Sequence, residues 1–354
     1  MRILDRYIGR SVIGATATVL LVLLAIFSFF GFIEELEDVG RGTYGLPKAA
    51  WVMVLSVPGL TYELFPIAAL IGALLGLGTL MERNEIAVVR CAGVSKTRVI
   101  WAVMKAGALF VVAAVVIGEL VFPFAEREAR QLRSAAISDR VTATSEYGFW
   151  ARDGSSFVNI RKVLPGERFE GISIFEFDAE RRLLRTTHAR MAQYRDGRWE
   201  LHDVGQTRFV DGMPRGERLE RATWDSVLDP ALIGMVALKP ETLSLLELSR
   251  YVEFARRNSQ NAQRWEHALW LKLAYPLATA VMIYLAIPLV LRGSRGVTTG
   301  RRVLLGAAIG LGFHILNQTS GHLGIVFGVP AAVSALAPTL ALLALGLFTN
   351  HRVQ

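Results

Sequence analysis

Val12 to Ile33 is a run of 22 almost wholly apolar residues, and it constrains this chain more than any other feature. At a rise of about 1.5 Å per residue, such a run crosses the roughly 30 Å hydrocarbon core of a bilayer as one helix. A secretory signal would also follow basic residues such as Arg2, Arg6 and Arg10. Its apolar region is shorter, however, and ends at small residues, whereas Glu34, Glu35, Glu37 and Asp38 follow this run. It is read as an uncleaved first span. Trp51 to Met81 is too long for one straight span and is divided by Pro58, Pro66 and the polar Thr61-Tyr62-Glu63. The membrane core of this second span is placed at Leu64–Met81, with a lead-in kinked at the prolines. The third span is expected over Val99–Phe122, ended by Pro123. Three more follow a long polar stretch, at Leu269–Leu291, Val303–Thr319 and Pro330–Phe348.

Hydrophobic residues make up 52% of the 354, yet 20% are charged, so a sizeable polar part accompanies the spans. The net charge of +8 does not require nucleic acid, because Lys and Arg gather in cytoplasmic loops. Arg2, Arg6 and Arg10 precede span one, and Arg83, Arg90, Lys96 and Arg98 follow span two. Arg292, Arg295, Arg301 and Arg302 follow span four, and Arg352 ends the chain. The opposite short loops hold only Arg41 and Lys48. Both termini are therefore expected in the cytoplasm, with the large segment between spans three and four outside. A single cysteine, Cys91, rules out an intramolecular disulfide and a cysteine-based metal site.

The outer segment, about 125 to 265, is near neutral, with 23 basic and 21 acidic residues. Its ends read as helices, Glu126–Ser138 and Ser244–Ala262. Its middle reads as strands at Ser156–Val163, Gly171–Phe177, Ala189–Tyr194 and Trp199–Val204. Asp196-Gly197 is a strong hairpin signal, and Asp153-Gly154 and Asp211-Gly212 mark further turns. Short strands separated by such turns suggest a sandwich or jelly roll.

Catalytic chemistry is not visible. Gly-Val-Thr-Thr-Gly-Arg-Arg (296–302) lacks the spacing and the lysine of a phosphate-binding loop, and no nucleophile elbow occurs. His314 and His322 are eight apart, and ordinary hydrogen bonding explains them better than metal ligation. Glu63, Lys105, Glu119 and Lys272 lie near span ends, where they either snorkel or mark a substrate path. Gly72, Gly76 and Gly78, and Gly306 with Gly310, follow the small-residue spacing of closely packed helices. Glu82 to Gly93 reads as a short amphipathic cytoplasmic helix with Gly93 as its cap, either interfacial or a docking element for a partner.

Several stretches carry a resemblance. They are Leu-Asp-Arg-Tyr-Ile-Gly (4–9), Leu-Ser-Val-Pro (55–58), Phe-Pro-Ile-Ala-Ala-Leu-Ile-Gly-Ala-Leu-Leu-Gly-Leu-Gly (65–78), Gly-Ile-Ser-Ile-Phe (171–175), Arg-Arg-Leu (181–183) and Val-Ala-Leu-Lys-Pro (236–240). With these, and with three spans on either side of an outer β domain, the whole chain resembles the LptF/LptG permease family.

The resemblance implies an α-helical membrane protein of six spans with an inserted jelly-roll-like periplasmic domain, in a Gram-negative inner membrane. Residues 1–124 would hold spans one to three with a coupling helix at 82–93, 125–265 the β domain, and 266–354 spans four to six. It implies a non-catalytic permease subunit without its own cofactor, ATP being used by an LptB-like ATPase dimer. The further partners would be an LptF-like permease, an LptC-like membrane protein and an LptA-like periplasmic bridge, with lipopolysaccharide as substrate and no nucleic acid. Glu85 would meet the ATPase, with Glu82, Arg83 and Arg90 beside it. Phe27, Phe30 and Ile33 in span one and Phe313 and Leu316 in span five would line the lipid cavity, or simply touch lipid and neighbouring helices. The family's basic residues at the outer end of span one are replaced here by Gly31, Glu37 and Asp38, which should repel phosphate. Arg41 and Lys272, a partner permease or a divalent cation would then hold the lipid phosphates. The rival reading is a protein that transmits motion from a cytoplasmic ATPase to periplasmic partners without passing lipid.

Overall fold

The computed structural model describes residues 2–137, 144–153, 155–164, 168–178, 180, 182–195, 198–210, 213–224, 240–257, 261–292 and 298–351. Gly154, Arg181, Asp196-Gly197, Asp211-Gly212, residues 236–239, Arg295 with Gly296-Val297, and Arg352 lie outside the described residues. The chain divides into two compact units, residues 1–37, 53–127 and 263–354 in one and 38–52 and 128–262 in the other.

The first unit is helical, while α6 and most of α5 below belong to the second. In chain order the helices of the chain are α1 (Arg2–Leu36), α2 (Leu46–Glu82), α3 (Glu85–Cys91), α4 (Lys96–Val116), a π-helical turn (Ile117–Val121) and α5 (Phe122–Ile137). After the β segment come α6 (Leu245–Arg257), α7 (Gln263–Arg292), α8 (Thr299–Phe327) and α9 (Ala331–His351). Among the described residues six stretches are long and apolar enough to cross a membrane: α1, α2, α4 through α5, α7, α8 and α9. The chain is thus a helical membrane protein with an inserted β domain.

Two sequence expectations change here. Pro58 and Pro66 do not divide the second span, which is a single 37-residue helix. Pro123 does not end the third, which continues through the π-helical turn into α5. A proline inside a span costs one backbone hydrogen bond, and neighbouring helices hold the helix together regardless.

α2 is the central helix, with 78% of its apolar window buried against 11% for α1. Leu70, Leu74 and Leu77 of α2 form the core with Val12 of α1, Val103 and Phe110 of α4, Met282, Ile283 and Ile287 of α7, and Phe313 of α8. In lipid the driving force is close packing rather than water exclusion, so helices must approach where side chains are small. A Cβ added at Gly76 would lie 2.8 Å from the Ser11 carbonyl oxygen, and one at Gly72 would collide with the Thr16 backbone. Ser11 Oγ donates to the Gly76 carbonyl at 3.0 Å across the same contact. Gly306 and Gly310 bring α8 against Ile71 and Ile67 in the same way.

Among its described residues the second unit carries six antiparallel strands, β1 (Thr144–Asp153), β2 (Ser156–Leu164), β3 (Arg168–Phe177), β4 (Leu183–Arg195), β5 (Arg198–Val210) and β6 (Met213–Trp224), in one sheet in sequence order. Connectivity is up-and-down, without a Greek-key crossover among the described strands. Arg195 pairs with Arg198, so β4 and β5 form the hairpin expected around Asp196-Gly197. One face is apolar, with Val158, Ile160, Phe169, Ile172, Ile174, Trp199, Leu201 and Val204 buried and Phe254 of α6 packed on them.

Alternation on this face breaks along one line. Phe169 and Ile172, Ala189 and Ala192, and Leu201 and Val204 are all buried although each pair is three residues apart. Phe169 pairs with Ala192 and Ala192 with Leu201, while Ile172 pairs with Ala189 and Ala189 with Val204, so the breaks align across three strands. Gly171 (φ 68°) and Asp203 (φ 52°) sit on that line, and Arg190 joins Asp203 at 2.6 Å. A left-handed residue inside a strand lets side chains exchange faces without loss of register. α6 begins with a capping box, Ser244 N–H donating to Glu247 Oε2 at 2.9 Å.

Gly72→Leu is expected to separate α1 from α2 and destabilise the helical unit by about 1–3 kcal/mol or more. A lowered thermal midpoint in detergent checks this, with Gly14→Leu as the control, because a Cβ at Gly14 meets open space.

Candidate functional site

The basic short loops converge at one end of the helical unit. α2 ends at Glu82, and Asn84 turns the chain in the left-handed conformation (φ 58°), which Asn tolerates better than most residues. α3 therefore begins at Glu85 rather than at Glu82, so Glu82 and Arg83 precede it. Its end follows a Schellman arrangement. Gly93 (φ 85°) donates to the Arg90 carbonyl at 3.0 Å, and Val94 to the Val89 carbonyl at 3.3 Å. Gly93 is thus the stop read from the sequence.

Ile86 is the buried anchor of α3. Tyr7 Oη donates to Glu85 Oε2 at 2.7 Å, tying α3 to the first turns of α1. Leu4, Tyr7, Ile8, Leu80, Glu85, Ile86, Val89 and Val99 line an open cleft between these elements. Arg83, Val88, Arg90 and Cys91 are exposed. Glu82 accepts from Arg302 Nη1 at 2.7 Å, and the absent side chain of Gly78 makes room for that guanidinium. Asp5 is bracketed by Lys105 at 2.7 Å and Arg98 at 3.1 Å, and Lys96 Nζ donates to the Asn350 carbonyl at 3.2 Å. The starts of α1, α4 and α8 and the ends of α2 and α9 are thereby linked around α3.

A second polar cluster lies inside the helical unit. Lys272 is 4% exposed. Its ammonium donates to the Gly118 carbonyl at 2.8 Å and lies 3.4 Å from the Glu119 carboxylate. The rings of Tyr62 and Phe122 stand 5.9 and 5.8 Å from it, at cation–π range. Tyr62 Oη donates to the Lys272 carbonyl at 3.2 Å. Lys272, expected to meet lipid phosphate, is here turned inward onto the third span. Phe313 is buried in the core, whereas Phe27, Phe30, Ile33 and Leu316 are exposed on the chain's surface.

Asp38 and Arg41, just beyond the C-terminal end of α1, belong to the second unit. Asp38 is held by Arg41 at 2.5 Å and by Arg133 of α5. The Arg133 guanidinium, as its hydrogen-bond donor, keeps the Asp38 carboxyl below the ordinary carboxylate value, with Arg41 adding to it and partial burial opposing. The acidity read at this end is therefore matched by two arginines, of which Arg133 is remote in sequence and was not anticipated. Thr43 N–H donates to the Ala136 carbonyl at 2.7 Å, which pins the same loop to α5. Among the described residues no group of His, Cys, Asp and Glu is arranged to hold a metal ion.

A lowered carboxyl value contributes stability above the ordinary pKa of 3.8 and loses it as the pH falls below that towards the native value. Residues 37–44 should accordingly stay protected from hydrogen exchange at pH 5 and lose protection faster than α7 as the pH is lowered through 3.8. Asp38→Asn should abolish that dependence.

Similarity to known proteins bears on what such an architecture belongs to. Residues 6–352 match the family described as lipopolysaccharide export system permease LptF/LptG. The chain is 35% identical over 340 residues to the lipopolysaccharide export system permease protein LptG of Haemophilus influenzae, covering 95% of each chain. It is 34% identical to that of Escherichia coli K12, covering 99% of this chain and 98% of the relative. To LptF of E. coli K12 it is 24% identical, over 55% of each chain. Matched from end to end by the family and at a third identity by two LptG proteins, this chain belongs to the LptF/LptG family of lipopolysaccharide export permeases.

Proposed function

We propose that this chain is a permease subunit of an ABC-type exporter that draws lipopolysaccharide from the outer leaflet of the inner membrane and passes it to a periplasmic bridge. Both termini and α3 face the cytoplasm, and the β domain faces the periplasm, in keeping with the Lys and Arg bias of the short loops. ATP hydrolysis belongs to an LptB-like dimer, with an LptF-like permease, an LptC-like protein and an LptA-like bridge completing the path.

The observation that carries this reading is α3. It is a two-turn helix with a defined start and stop, anchored by Ile86 and by the Tyr7–Glu85 bond, with Arg83, Val88 and Arg90 exposed. A short rigid helix braced on α1 and α2 transmits displacement as a contact rather than as a flexing loop. Its charges suit a polar groove on an ATPase. Asp5 with Arg98 and Lys105 ties α1 to α4, and Glu82 with Arg302 ties the end of α2 to α8, so motion at α3 reaches several spans.

Glu85→Lys is expected to weaken association with the ATPase about thirtyfold or more and to abolish export, because it puts a positive charge where a charge pair is needed. Tyr7→Phe, which removes only the internal bond to Glu85, should leave association largely intact. Co-purification and a lipopolysaccharide release assay check both, and unchanged binding and export in Glu85→Lys would sink the coupling role. A photo-crosslinker at Phe27 is expected to capture lipopolysaccharide, whereas a purely motion-transmitting protein would give no adduct in an active complex.

A further inference from the structure

The π-helical turn in the third span has a chemical cause that runs from one proline to one lysine. In an α-helix each carbonyl accepts from the amide four residues on. Phe122 N–H instead donates to the Ile117 carbonyl, five residues back. The Gly118 carbonyl thereby loses Phe122 as its donor, and the next residue on is Pro123, which has no N–H. Lys272 Nζ donates to that carbonyl at 2.8 Å.

Regular α-helix through this segment would shift the gap left by Pro123 by one residue, to the Glu119 carbonyl. Loss of the surplus residue would also turn everything beyond it by about 100° about the helix axis. The packing holds the π register in a second way. The Tyr62 ring lies so close to Gly118 that an added Cβ would overlap it, and Phe122 lies 2.7 Å from where a Cβ at Gly59 would stand. A one-residue rotation would present Ile117 or Glu119 to the Tyr62 ring in place of glycine.

We propose that this π-helical turn is a hinge in the third span and that Lys272 is the latch that holds it. The ammonium joins the two groups whose positions differ between the registers, the Gly118 carbonyl and the Glu119 side chain, and Tyr62 fixes the lysine's own backbone. π-helical turns within α-helices are often placed at functional sites, where they give a local change of register without unfolding the helix. The hinge goes beyond the permease reading and stands or falls apart from it.

The test is hydrogen–deuterium exchange on the full chain in lipid nanodiscs, which needs no ATPase and no export assay. Lys272→Met should speed exchange about tenfold at amides 118–122, including Phe122 N–H, while α9 stays unchanged. That is the effect of losing one hydrogen bond to a charged donor. Tyr62→Phe keeps the ring and loses only the hydroxyl on the Lys272 carbonyl, and should give a smaller rise, about threefold, at the same amides. It carries the test alone if Lys272→Met does not fold. Unchanged exchange at 118–122 would overturn the latch. A rise spread evenly over all six spans would overturn the hinge, because Lys272 would then only stabilise the bundle as a whole.

Discussion

Inside a lipid-embedded helical unit, a backbone carbonyl without a helical donor has no water to turn to, and much of this structure follows from that constraint. Pro123 creates one such carbonyl, and the chain answers with a lysine 154 residues away that is itself 4% exposed. A buried ammonium is costly unless it is bonded and paired. Here it has a carbonyl, a carboxylate and two aromatic faces. The same logic recurs where Lys96 caps the end of α9 through the Asn350 carbonyl. In both places a positive side chain meets a carbonyl that the helix cannot satisfy by itself.

The helices are held together less by large side chains than by their absence. Gly72 and Gly76 let α1 lie against α2, and Gly306 and Gly310 let α8 approach it from another side. α2 is thus the common neighbour, which is why it tolerates two prolines in 37 residues. α1 meanwhile leaves most of its apolar surface uncovered. That surface includes Phe27, Phe30 and Ile33, so the first span is available to lipid or to another helix over nearly its whole length.

Spans, hairpins and caps were legible because each is written locally. Apolar length gave six spans, Asp-Gly gave the β4–β5 hairpin, and Gly93 gave the end of α3. What was not legible depends on residues far apart in sequence. Pro123 reads as a helix stop until Lys272 is brought beside it. Glu37 and Asp38 read as repulsive to phosphate until Arg133 is placed on Asp38. Strict alternation fails in the strands, because buried residues step by three at Gly171 and Asp203. Only the pairing of neighbouring strands shows that those steps share one line. The start of α3 was set too early because Asn84 turns left-handed, a choice that asparagine permits but does not announce.

Cys91 closes α3 and is exposed, and it is the chain's sole thiol. The element proposed for coupling therefore carries its own chemical handle. A spin label or fluorophore attached to the natural sequence reports on that helix alone, with no cysteine elsewhere in the chain to remove first.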